Sequence, residues 1–143
     1  MTELIGSINW LAVAIAWLVT AAIGIGWFRP EVFGTPWARS VSAWTGAGVD
    51  ELLEPPNLPS RLGYWMVAFG VNAIAMAMLL EAVDASSFGD VVLVAILTTV
   101  GFAAPLLSWP AIFAGMPVRV LLINTAAFLV MQIASATILV WLS

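Results

Sequence analysis

Four long runs without a charged residue constrain this chain more than any other feature. They are residues 8–28 (INWLAVAIAWLVTAAIGIGWF), 62–80 (LGYWMVAFGVNAIAMAMLL), 91–109 (VVLVAILTTVGFAAPLLSW) and 120–142 (VLLINTAAFLVMQIASATILVWL). Coiled as helices they are roughly 28–35 Å long, enough to cross the hydrocarbon core of a bilayer. None has the alternating pattern of an outer-membrane strand. The composition agrees, with 63% hydrophobic and 8% charged residues, against about 45–50% and 25% in soluble domains. The expected fold is all-α, a four-helix transmembrane bundle in one domain over 1–143 with a short interfacial helix in the first connection.

The first run competes with a signal peptide, which needs a basic start and a small-residue cleavage site. Here the start is MTEL, acidic, and the run ends in GWFRP. A retained span is the reading these residues favour. Trp10, Trp27, Tyr64, Trp65, Trp109 and Trp141 fall near span ends, the place of an aromatic belt, whereas Trp17 lies inside the first span as a lipid-facing or packing residue.

Orientation follows from four arginines. Arg29, Arg39 and Arg61 border or occupy the first connection, Arg119 closes the third, and the second connection (EAVDASSFGD) has acids and no base. With four spans the first and third connections share a side, and the positive-inside rule makes that side cytoplasmic. The expectation is a multi-pass plasma-membrane protein with both termini outside the cytoplasm.

What is missing limits the chemistry. There is no Cys, His or Lys, which excludes disulfides, thiolate and imidazole ligands or bases, and Schiff-base chemistry. A net charge of -4 argues against nucleic acid, whose backbone demands a basic footprint. No cofactor or metal site is expected. The acids read as solvated loop charges. Asp50, Glu51 and Glu54 match no calcium loop.

In the first connection, GTPWARSVSAW reads as a helix over 36–44, with Thr35 as its cap and Pro36 in its first turn. Trp37, Val41 and Trp44 share one face and Arg39 lies away from it, the pattern of a helix in the headgroup plane. The cytoplasmic ends of spans one and three also read alike. Pro30, Phe33 and Arg39 recur 80 positions on as Pro110, Phe113 and Arg119, and a parallel duplication would make two similar surface turns.

Inside the spans every polar side chain is neutral, which weighs against a proton relay or ion-coupled pump. Asn72, Asn124, Gln132 and Ser135 are the candidates for lining a ligand site or pore, and interhelical hydrogen bonding is their commoner use. Ala12, Ala16, Thr20 and Gly24 form a small-residue stripe that admits another helix, in this chain or a second copy. Pro105 should bend span three. Arg29, Arg39 and Arg119 are the candidate headgroup contacts, since guanidinium geometry suits phosphate.

Asn9-Trp10, Gly26-Trp27-Phe28, Pro30, Phe33-Gly34 and Trp37, followed late in the chain by Phe113, Gly115, Pro117 and Leu122-Ile123-Asn124, give the chain a specific likeness. It resembles the bacterial four-helix membrane proteins of domain-of-unknown-function family 1761 over nearly its whole length. Phe28 stands where the family usually has Tyr, Thr35 and Pro36 where a Lys is common, and Ala114 where a charge often precedes the late Gly. The resemblance implies fold and membrane location and brings no activity.

Three function classes follow. The first is a non-enzymatic accessory, scaffold or self-associating membrane protein whose partners are lipids, its own copies or another membrane protein. The second is a small oligomeric transporter or channel for a neutral or lipophilic solute, lined by Asn72, Asn124 and Gln132. The third is a headgroup enzyme using the arginines with Glu31, Asp50 or Glu54 as acid or base. The residue types favour the first.

Overall fold

A computed structural model describes residues 6–142, so the acidic start at Met1–Leu4 lies outside the described residues. The described residues form seven α-helices and two π-helical stretches, with no strand among them. They are α1 (Trp10–Trp27), α2 (Thr35–Thr45), α3 (Val49–Leu53), α4 (Leu58–Ala82), α5 (Phe88–Ile96), α6 (Ala104–Phe113) and α7 (Val118–Trp141). A π-helical turn, Pro30–Gly34, precedes α2, and a second, Leu97–Ala103, joins α5 to α6. Four helical runs, Trp10–Trp27, Leu58–Ala82, Phe88–Phe113 and Val118–Trp141, are long and apolar enough to span a membrane. The last of them is the hub. Helix α7 packs on α1, α4, α5 and α6, and α4 packs on α1.

Local chemistry sets the ends of these helices. Helix α4 starts at Leu58, four residues before the uncharged run, because Pro59 suits a first helical turn. Ser87 and Asp90 form a reciprocal capping box that starts α5 at Phe88. Helix α2 ends on Gly46 at φ 77°, a left-handed conformation open to Gly. Its start differs from expectation. Gly34 occupies the cap position without a side-chain bond, and Thr35 is already helical, donating its hydroxyl to the Pro30 carbonyl at 2.9 Å.

Asn9 ties the two ends of the described chain together. Its Oδ1 accepts from the Leu11 and Ala12 amides at 3.1 and 3.2 Å, and its Nδ2 donates to the Leu142 carbonyl at 2.6 Å. One side chain thus caps α1 and closes the last turn of α7. Asn9→Ala is expected to lose about 1–2 kcal/mol and to speed amide exchange in the first turn of α1. Exchange and unfolding in mixed micelles that match wild type would mean that water replaces the cap.

The small-residue stripe is an intramolecular seam. Ala12, Ala16 and Thr20 are at most 1% exposed, and Gly24 is buried against α4 and α7. A Cβ at position 24 would overlap Cζ2 and Cη2 of Trp65 and lie 3.2 Å from Met131 Sδ. Trp65 therefore packs inward on α1, whereas Trp10, Tyr64, Trp109 and Trp141 stay exposed as belt residues should. Trp17 also faces inward. Its Nε1–H donates to the Met66 carbonyl at 2.8 Å, beside Gly70, where a Cβ would lie 3.5 Å from its ring. A buried indole needs such an acceptor. The deeper core brings Val13 and Ala16 together with Ala73, Met76, Val91, Val94 and Ala136.

Pro105 does not break span three. The π-helical stretch before it widens the backbone, and the Ala104 amide donates to the Thr99 carbonyl, so the helix absorbs the residue that lacks an N–H. The two similar surface segments fold differently. Arg29 is extended (ψ 148°) before Pro30 and a turn follows, but Pro110 lies inside α6. The expected pair of similar turns is not found.

Candidate functional site

Two places carry the residues singled out from the sequence. The first is the polar seam between α4 and α7. Asn72 Nδ2 donates to Gln132 Oε1 at 2.8 Å, and Gln132 is 3% exposed. The two amides satisfy each other in the middle of the spans, where an unpaired amide would be costly. Ser135 is fully buried with an unpartnered hydroxyl. Asn124 is half-buried, six residues into α7 from its Arg-bearing end. Thr20, Thr98 and Thr137 turn their hydroxyls back onto carbonyls of their own helices. Of the four candidate lining residues, the fold joins Asn72 to Gln132 and leaves Asn124 and Ser135 outside that bond.

The second place is the Arg-bearing end. Chain direction puts the ends of α1 and α6 there with the starts of α4 and α7. An aromatic-clamped turn builds it. Trp27 stacks on Phe33 at 4.5 Å, and Phe28 meets Trp37 edge-on at 5.6 Å. Gly34 lies so close beneath that its amide donates to the Arg29 carbonyl at 2.9 Å. This turn aims α2 across the end of the bundle. Ala38, fully buried, sits at the centre of the packed face, with Trp37 and Val41 half-buried beside it. At the far end of α2, Trp44 Nε1–H donates to the Ala114 carbonyl at 2.6 Å. Ala114 closes α6, and Gly115 follows it at φ 71° with the Met116 amide bonded back to the Pro110 carbonyl at 3.0 Å.

Between this assembly and α4 lies a groove of about 520 Å³, within the size range of small-ligand sites. Its wall is apolar. Gly24 and Ile25 come from α1, Phe28 from the residue that caps it, Trp37 from α2, Leu52 and Leu53 from α3, and Leu58, Leu62 and Trp65 from α4. Two charged residues line it, Arg29 and Arg61, and both are exposed. Among the described residues neither guanidinium has a hydrogen-bond or ion-pair partner. Glu31, Asp50, Glu51 and Glu54 do not line the groove, and among the described residues no three ligand-type side chains could hold a metal.

Arg29 is therefore the one candidate headgroup residue found in the groove; Arg39 and Arg119 are exposed elsewhere. The sequence marks Arg61 only as an orientation charge. The signal available was Leu52-Leu53, an apolar pair inside an acidic, Pro-rich connection, which a merely solvated loop would not need. A smaller hollow of about 260 Å³ opens at the opposite end beside Asn9, Glu81 and Asp84.

A family model described as a protein of unknown function, DUF1761, matches residues 11–140. The match covers nearly the whole chain, so the chain belongs to this family. No curated protein and no solved structure matches it.

Proposed function

We propose that this member of the DUF1761 family is a non-enzymatic accessory or scaffold protein of the plasma membrane, with its Arg-bearing end in the cytoplasm and both termini outside. The observation that carries the reading is the Asn72–Gln132 bond. The most polar side chains of the spans are spent on holding two helices together, as interhelical amides commonly are, and a solute route would need them turned toward a shared passage. The carboxylates offered for headgroup chemistry do not line the groove, which weighs against the enzymatic reading. The exposed apolar face of the run Phe88–Phe113, with Leu93, Val100, Phe102 and Leu106 all more than half exposed, suits lipid or a neighbouring membrane helix.

The test compares Asn72→Leu, Gln132→Leu and the double variant. If the pair is glue, the single variants lose stability in mixed micelles. The double variant should then show a coupling of about 0.6 kcal/mol, with 1.7 as the upper range for such bonds. Proteoliposomes of all three would leak small neutral solutes no differently from wild type. A Gln132→Leu protein that keeps wild-type stability and assembly but abolishes a solute flux would overturn the reading in favour of transport.

A further inference from the structure

We infer that the groove at the Arg-bearing end holds one anionic phospholipid, its phosphate between Arg29 and Arg61 and its upper acyl chains against Phe28, Trp37 and Trp65. This goes beyond the accessory reading and does not depend on it.

Three observations select that occupant. The groove lies where the apolar spans end, at headgroup level, and Ile25 and Leu58 on its lining are 52% and 45% exposed. It is thus continuous with the lipid-facing surface. Its wall is apolar and aromatic, so water gains little by filling it and hydrocarbon gains much. Its two cations lack any carboxylate partner among the described residues, which leaves two forked donors on one groove for phosphate oxygens. A free phosphate would use the arginines and waste the wall. A zwitterionic headgroup would bring its own cation toward the second guanidinium, so a net anionic headgroup fits better.

The experiment is native mass spectrometry of the full chain released from bilayers of equimolar phosphatidylglycerol and phosphatidylcholine. Wild type should retain one phosphatidylglycerol per chain in preference to phosphatidylcholine. R29Q/R61Q should reduce that retention at least about tenfold, the loss expected for giving up two charge-assisted contacts. R39Q/R119Q removes the same net charge and should retain the lipid. R29K/R61K, which keeps the charge but not the fork, should fall between. Because all four arginines are exposed, unfolding in mixed micelles should match wild type and certify the fold of each variant. Equal loss in both neutralised pairs would reduce the effect to bulk charge and overturn the proposal. So would equal retention of phosphatidylcholine, undiminished retention by R29Q/R61Q, displacement of the lipid by millimolar inorganic phosphate, or a polypeptide held in the groove instead.

Discussion

Gly34→Ala is expected to destabilise the protein by about 3 kcal/mol or more, the upper part of the range for overpacking a tight site. A Cβ at position 34 would overlap the Phe28 carbonyl oxygen and lie 2.7 Å from both the carbonyl carbon and oxygen of Arg29. These are backbone atoms, so no rotamer change relieves the clash. The backbone of Gly34 is itself ordinary helix (φ -61°, ψ -49°). The requirement is therefore for space rather than for a left-handed conformation. The only relief is to open the π-helical turn, whose closing bonds run from the Val32 and Gly34 amides to the Arg29 carbonyl at 3.0 and 2.9 Å. Opening it separates Trp27 from Phe33 and loosens α2, which reaches Ala114 through Trp44. Gly26→Ala is the internal control. Nothing lies within 4 Å of a Cβ there, and an alanine in a helix gains up to about 1 kcal/mol over glycine. Two identical substitutions eight positions apart should thus move mixed-micelle unfolding in opposite directions. A Gly34→Ala protein within about 0.5 kcal/mol of wild type, the ordinary scatter of neutral substitutions, would refute the packing account.

The same turn explains why so much of the fold is legible in the sequence. Most of the residues that carry the family likeness sit at helix ends and joints, Leu122-Ile123-Asn124 inside α7 being the exception. Asn9 caps α1 and binds the last turn of α7, Trp27, Phe28, Phe33 and Trp37 clamp the first turn, and Gly115 reverses the chain between α6 and α7. Their uses are architectural, so they identify a fold without naming a chemistry. Apolar runs were enough to find the spans because length and the lack of charge are read one residue at a time. Direction of packing is not. Trp17 and Trp65 look like Trp10 and Trp141 in composition, yet they turn inward, Trp65 because Gly24 on the facing helix leaves room for its indole and Trp17 onto the Met66 carbonyl of α4. That pairing depends on which helices are neighbours. Arg61 is the same case, since only the fold of α3 and α4 brings it to the groove that Arg29 also lines.

The Gly24–Trp65 contact is where this inward packing has its largest expected effect. Gly24→Ala should cost about 1–3 kcal/mol, less than Gly34→Ala because the obstructing atoms are the far edge of a side chain. The indole is held, however. Its ring meets Phe69 edge-on at 5.1 Å, and Met131 stands on the other side of the added methyl at 3.2 Å. The penalty should be strongly coupled to the ring. Trp65→Leu alone leaves a void beside Gly24 and loses stability through the cavity. Joined to Gly24→Ala, it gives the methyl the space the indole had occupied. The double variant should be more stable than the sum of the two losses by at least about 1 kcal/mol, within the coupling seen between residues in contact. Strictly additive losses would mean that α1 and α4 do not meet at this point, and the seam would have to be sought between two copies of the chain. The cycle bears on the groove as well, because Gly24 and Trp65 form part of its wall. Phosphatidylglycerol retention should fall in Trp65→Leu even where both arginines are intact. A lipid held by charge alone would be indifferent to that change, whereas one seated against the indole would not.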